Sequence, residues 1–319
     1  MVRRIKLMIV LLAGIGIGAN PIWGQQLGKE ALSSFPAGII QIEYSSPAKL
    51  RTLPDYGTLR ERYMGPWLKE LETSLKQLGV KESDVNELVL GWASSGDKKE
   101  LYGLASGSFD PKVLGERAAE RQIAPETIGT KTGYCLGAGL ETPCVVVLGA
   151  NEGAFGTLSA LSEMMDVRGG ARPSLGSDAQ FAKVVAEAKT EAPIWGVSTD
   201  GAIAVWFKGW MPSQGDIQLD WSQVFQGVDT LSYSINAGSD VHLHLELYCK
   251  SSESATSLRQ VLEGLKLAQQ LAWQTQHPNQ ANPFSGMSVE LNGGQISVNL
   301  TASYDELSTA GPMGAPPSQ

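Results

Sequence analysis

The chain has 319 residues, of which 42% are hydrophobic, and a formal net charge of -8. That is enough apolar material for one large core or two smaller ones. No cluster of Lys and Arg follows residue 6, so no nucleic-acid partner is expected, and an acidic surface disfavours anionic lipid.

The first residues read as a targeting segment. MVRRIK is positively charged, and residues 7–19, LMIVLLAGIGIGA, are an apolar run too short for a comfortable membrane span. Residues 1–24 are therefore expected to be an export signal, cut at Gly24 or Ala19. The alternative is an uncleaved anchor. Cleavage leaves no stable membrane span and places the mature chain in the periplasm or outside the cell. The GxGxG inside this run follows no strand, so it is not read as a nucleotide loop.

Next in order, PAGIIQIEYSS predicts a strand over 38–44. Leu59 and Tyr63, then Trp67, Leu68, Leu71, Leu75 and Leu78, fall at helical spacing, with Gly65 and Pro66 separating two helices and Gly79 ending the second. VNELVLGWASS and ELYGLASGSF predict a hairpin around GDKK. Asp110 and Pro111 then open a helix as N-cap and first-turn proline. Strands are expected near 127–135 and 143–149, and helices near 154–166 and 177–189. After the tryptophan-rich stretch come a second strand pair within 228–249, a helix, and a hairpin at MSVELNGGQISVNL, where Asn292, Gly293 and Gly294 reverse the chain.

The order strand, strand, helix, strand, strand thus occurs at about 85–149 and again at about 228–300. The fold expected is α+β, built from two divergent ββαββ units whose antiparallel sheets carry helices on one face. The division expected is an N-terminal unit over 28–210 with extra helices, a C-terminal unit over 216–308, and a disordered tail over 309–319. The boundary falls in MPSQGD.

Three groups of residues invite a functional reading. Cys135 and Cys144 stand on two expected strands joined by a Gly-rich turn and are candidates for a disulfide in an oxidising compartment. Two free buried thiols are the alternative, and Cys249 reads as a small core residue. His242, His244 and Glu246 recur at every second position and so share one strand face, the way a metal site begins. Three convergent ligands are the minimum usually needed, and His277, the one other histidine, stands beyond the far end of a long helix. The reading adopted is an ordinary strand with a wet side, backed by Val241, Leu243, Leu245 and Leu247 on the opposite face. Trp206, Trp210 and Trp221 form the third group. They are read either as a partner-binding lip or as rings packed between the two units.

No G-x-S-x-G, H-E-x-x-H, Walker A or C-x-x-C pattern is present, and no cofactor is expected. Paired carboxylates stay open, with Glu43 and Asp97 as examples. FPAGIIQIEYSSPAKLRTLPDYGTLRERY, VLGWASS, LYGLASGSFD and APIWGV together resemble a group of uncharacterised exported bacterial proteins. The resemblance implies export and a duplicated α+β build; it implies no mechanism. The leading expectation is an exported, non-catalytic protein that binds another macromolecule in the envelope or outside the cell, through a protein partner or self-association. The alternatives are a hydrolase or metal-dependent enzyme with a site between the repeats, and a small-ligand carrier with a deep apolar pocket.

Overall fold

The computed structural model describes residues 23–53, 56–57, 60, 66–95, 98–137, 139, 142–188, 190–210, 220–279 and 281–309. The expected export signal up to residue 22, the boundary at 211–219 and the expected tail from residue 310 lie outside these. In chain order the elements are α1 (Trp23–Ser34), β1 (Ile39–Ser45), α2 (Pro47–Leu50), α3 (Pro66–Gln77), β2 (Val85–Ser95), β3 (Lys98–Gly107), α4 (Pro111–Glu120), β4 (Pro125–Ile128), β5 (Lys131–Cys135), β6 (Cys144–Gly149) and β7 (Glu152–Gly156). They continue with α5 (Leu158–Arg168), α6 (Ala179–Glu187), β8 (Ile194–Thr199), α7 (Gly201–Trp210), α8 (Trp221–Val224), β9 (Val228–Ala237), β10 (Val241–Cys249), α9 (Ser252–Gln276), β11 (Ser288–Asn292), β12 (Gln295–Ala302) and α10 (Tyr304–Thr309).

The α+β class holds. The twelve strands form one antiparallel sheet in the order β11-β12-β10-β9-β8-β1-β2-β3-β7-β6-β5-β4. The expectation of separate sheets with helices on one face does not hold. β1 and β8 pair at the centre, and helices cover both faces. Outward from the centre the halves run in parallel order. β9 and β10 are followed by α9 and a hairpin whose last strand, β12, lies beside β10; β2 and β3 are followed by α4 and strands whose last member, β7, lies beside β3. The first half has four strands after α4 where two were expected. Gly129, at φ +59, turns ETIGTKTGYC into the hairpin β4–β5, and β7 occupies the start of the helix expected at 154.

Alternation along the strands sorts the core. On one face α1, α5 and α6 pack on β1–β3 and β6–β8, around Phe35, Tyr44, Leu104, Met164 and Trp195. On the opposite face α3 and α4 cover the first half through Leu71, Leu78, Leu114 and Ala118. There α7, α8 and α9 cover the second half through Ile203, Phe207, Phe225, Leu258 and Leu262. Residues 201–210, expected within the first unit, thus pack into the second half's core. The second half of the first face carries the polar residues of β9, β10 and β12. Helix entries follow their caps: Asp110 accepts from Lys112 N and Val113 N at 2.9 and 3.3 Å, and Ser251 accepts from Ser254 N at 3.1 Å to start α9. Cys135 and Cys144, directly paired across β5 and β6, are joined by a disulfide.

One row of residues crosses the centre of the sheet. Glu43 on β1 pairs with Gly196 on β8, which pairs with Tyr233 on β9. The Tyr233 ring lies over Gly196, and a Cβ there would stand 2.5 Å from the phenol oxygen. The bare glycine lets the ring reach two strands away and donate a hydrogen bond of 2.5 Å to Glu43 Oε2. Gly103 on β3 repeats the device under the Phe155 ring of β7. A Gly196→Ala substitution is therefore expected to displace Tyr233, break its bond to Glu43 and destabilise the fold by about 2 kcal/mol or more. Urea unfolding measures this; a loss within ~0.5 kcal/mol of zero, the usual range of a neutral surface change, contradicts the close approach.

Candidate functional site

An apolar cavity lies between α9 and the second half of the sheet. Its volume is about 80 Å³, and its walls are Trp206, Phe207, Trp221, Leu243, Leu245, Leu262, Leu265, Phe284, Met287, Val298 and Leu300, with Lys266 and Gln269 as the polar members. The sequence builds this wall by two periodicities. Leu243 and Leu245 alternate outward from the histidine face of β10, and Leu262, Leu265 and Gln269 recur on one stripe of α9. Val261, beside Leu262 in sequence, is off that stripe and exposed.

The aromatic end is a stacked cluster. Phe207 and Phe225 lie 4.2 Å apart at 25°, Trp221 stacks on Phe225 at 6.0 Å, and Trp206 packs on Tyr233 at 4.8 Å. Trp206 is buried and Trp221 half-buried. Trp210 ends α7, and its side chain lies outside the described part of the structure. Trp206 and Trp221 thus sit together on an apolar cavity. Trp195, from the same stretch of sequence, faces the other side of the sheet and stacks on Tyr44 at 5.4 Å.

Behind Trp206, Tyr233 carries the contact to Glu43. Glu43 keeps some exposed surface, yet its carboxylate is closely surrounded on the seam between the first-half and second-half cores. Burial pushes its pKa up, and the hydrogen bond from Tyr233 opposes this in part. Burial and the neighbouring Glu43 charge hold the Tyr233 phenol well above its usual range. The row Glu43, Gly196 and Tyr233 was not singled out from sequence beyond Glu43 as one example among the carboxylates. A charge inside the apolar strand IIQIEYS is the signal that marks it.

His242, His244 and Glu246 occupy the opposite face. His244 Nε2 lies 2.7 Å from Glu246 Oε1, and His244 Nδ1 lies 2.6 Å from Asn299 Oδ1. Glu246 Oε2 accepts from Gln295 Nε2 at 2.5 Å and from Ser297 Oγ at 2.9 Å. His242 Nδ1 meets Thr301 Oγ1 at 2.9 Å on the surface. His277 caps α9, across the sheet from these residues, and packs on Trp273 at 4.3 Å. The three histidines do not converge, and among the described residues no group of three His, Cys, Asp or Glu side chains is placed to hold a metal. Among the described residues no helix is long and apolar enough to cross a membrane.

No known protein family matches the chain, and no curated protein does. Among solved structures, crystal forms I and III of TP0453 are similar to it. Both give a TM-score of 0.52, at 12% and 13% identity, over 88% of this chain and 95% and 96% of theirs. At this identity the likeness is one of fold alone.

The raised pKa of Glu43 has a sign that can be checked. In the folded chain its pKa stands above the ordinary value of 4.5, so the native state holds this proton more tightly. The resulting stabilisation is complete below the unfolded pKa and is lost as pH rises through the folded one. Glu43→Gln removes the effect, so the variant is expected to gain stability relative to the parent as pH rises above the ordinary carboxylate range. Urea midpoints at a series of pH values read the difference; parallel curves rule it out.

Proposed function

We propose that this is an exported, non-catalytic binding protein whose ligand is a small apolar molecule or the apolar end of a larger one. The observation that carries this reading is the cavity under α9, where every wall residue except Lys266 and Gln269 is apolar and four of the walls are aromatic rings. Placement of Trp206 and Trp221 on this cavity favours a buried ligand over a flat protein-binding lip. Export is supported by the charged, then apolar, N-terminal segment and by the disulfide, which persists in oxidising compartments. The parallel order of the halves supports a duplicated ancestry, with β4 and β5 an added hairpin.

Uptake of xenon, followed by backbone amide shifts in nuclear magnetic resonance, tests the reading. Saturable binding is expected for the mature chain, with shifts confined to the cavity walls. Leu265→Phe and Leu300→Trp, which fill the cavity from opposite walls, are expected to weaken it by roughly tenfold while leaving the unfolding temperature within a few degrees. The proposal fails if uptake is absent, or is undiminished in both variants.

A second reading, self-association, is favoured by Leu267 and Leu271. They are 58% and 63% exposed and lie one turn apart on α9, away from the core. Sedimentation velocity of the Leu267→Lys, Leu271→Lys double variant is expected to show monomers where the parent shows dimers. Identical profiles remove this reading.

A further inference from the structure

A second cavity lies across the sheet from the apolar one and is independent of it, sharing none of its walls. It sits where the C-terminal end of α6 meets the polar face of β9 and β10, with a volume of about 130 Å³. A single water needs on the order of 10–15 Å³ by this measure, so the space holds several waters or a small organic molecule. Its chemistry comes from Glu187, Ser232, Ser234, His244, Glu246 and Tyr248. The strand register explains how these meet. Ser234 stands opposite His244, and Ser232 opposite Glu246, so all four side chains share one face of the sheet.

Most polar groups of this wall are already engaged. Glu246 is held by Gln295, Ser297 and His244, and the Tyr248 hydroxyl interacts with Ser232 and Glu187. Ser234 differs. The residue is 1% exposed, and its hydroxyl has no hydrogen-bond partner among the described residues. Buried hydroxyls are ordinarily paired, because leaving one unmade forfeits its hydration. Ser234 is one of the residues that line the cavity, so a molecule bound there can complete the hydroxyl. Two carboxylates stand in the cavity lining. Glu187 and Glu246 contribute carboxylates, and the one basic group among the lining residues is His244, already on Glu246. Lys183 stands 3.8 Å from Glu187, on the exposed side of α6. A divalent metal is disfavoured by the ligand set, which lacks three suitably placed donors.

We propose that this cavity binds a small organic ammonium ion, whose N–H groups donate to Ser234 Oγ and to the carboxylates of Glu187 and Glu246. A primary ammonium has three donors and one positive charge, matching one orphaned hydroxyl between two anionic groups. Glu246 keeps its bonds to Gln295 and Ser297, so the site is rigid on the strand side and open toward α6.

The test is a titration of the mature chain with ethylammonium chloride at constant ionic strength, followed by backbone amide shifts in nuclear magnetic resonance. Saturable shifts in the millimolar range are expected, confined to β9, β10 and the end of α6. Sodium chloride, magnesium chloride, ethanol and tetramethylammonium chloride are expected to leave these amides unmoved. Ser234→Ala is expected to weaken binding by roughly fivefold or more while leaving the unfolding temperature equal or higher, since it removes an unpaired hydroxyl. Glu187→Gln, at the partly exposed end of α6 and safe for folding, is expected to weaken binding by roughly tenfold. The proposal is overturned by the absence of saturable shifts, by equal shifts from magnesium or tetramethylammonium, or by unchanged affinity in both variants.

Discussion

The contact on which the two halves depend is the reach of Tyr233 over Gly196 to Glu43. A strand spacing separates each member of this row from the next, and side chains on adjacent strands normally meet only their immediate neighbours. Removing the middle Cβ converts two neighbour contacts into one that spans three strands. It fixes the register of β8 against both β1 and β9, because a shift by one residue would bring Trp195 or Val197 from the other face under the ring. It also seats Trp206 on Tyr233, and with it the aromatic end of the apolar cavity. A buried acid, a glycine and a cavity wall are thus parts of one constraint.

Much of the local structure was legible in the residues. Asp110 with Pro111 and the Asn-Gly-Gly turn mark their elements because capping and tight-turn geometry act over three or four positions. The alternation in VHLHLELYC separates a wet face from a dry one because the strand period is two. Longer-range matters were less legible. Gly129 looks like any glycine in a strand-rich segment, so β4 and β5 read as one strand. Placement of β8 against β1 depends on partners about 150 residues apart, for which the local pattern carries no signal. Without that pairing the chain divides naturally into two units; with it, the sheet is continuous.

The site residues divide in the same way. His242, His244 and Glu246 share a face, as spacing requires, but what they do is set by β12, whose Ser297, Asn299 and Thr301 occupy their free atoms. Trp206 and Trp221 read as a lip or as packing, because a helical wheel places a ring on a side without saying what stands opposite. Ser234 was invisible in sequence, since a serine in a strand has many roles and its isolation exists only in three dimensions. Glu43 was the exception, being the one charge in the apolar strand IIQIEYS.

The pairing of Ile39–Ser45 with Ile194–Thr199 also bears on how the molecule is made. As the polypeptide emerges, the first half can assemble β1, β2 and β3 from near neighbours, while the other border of β1 has nothing to pair with until Ile194–Thr199 arrives. Nonlocal pairing of this kind is slow to form, and an open strand border is sticky while it waits. Synthesis therefore passes through an interval in which the middle of the finished molecule is its outer rim, and the nascent chain is most in need of shielding during that interval.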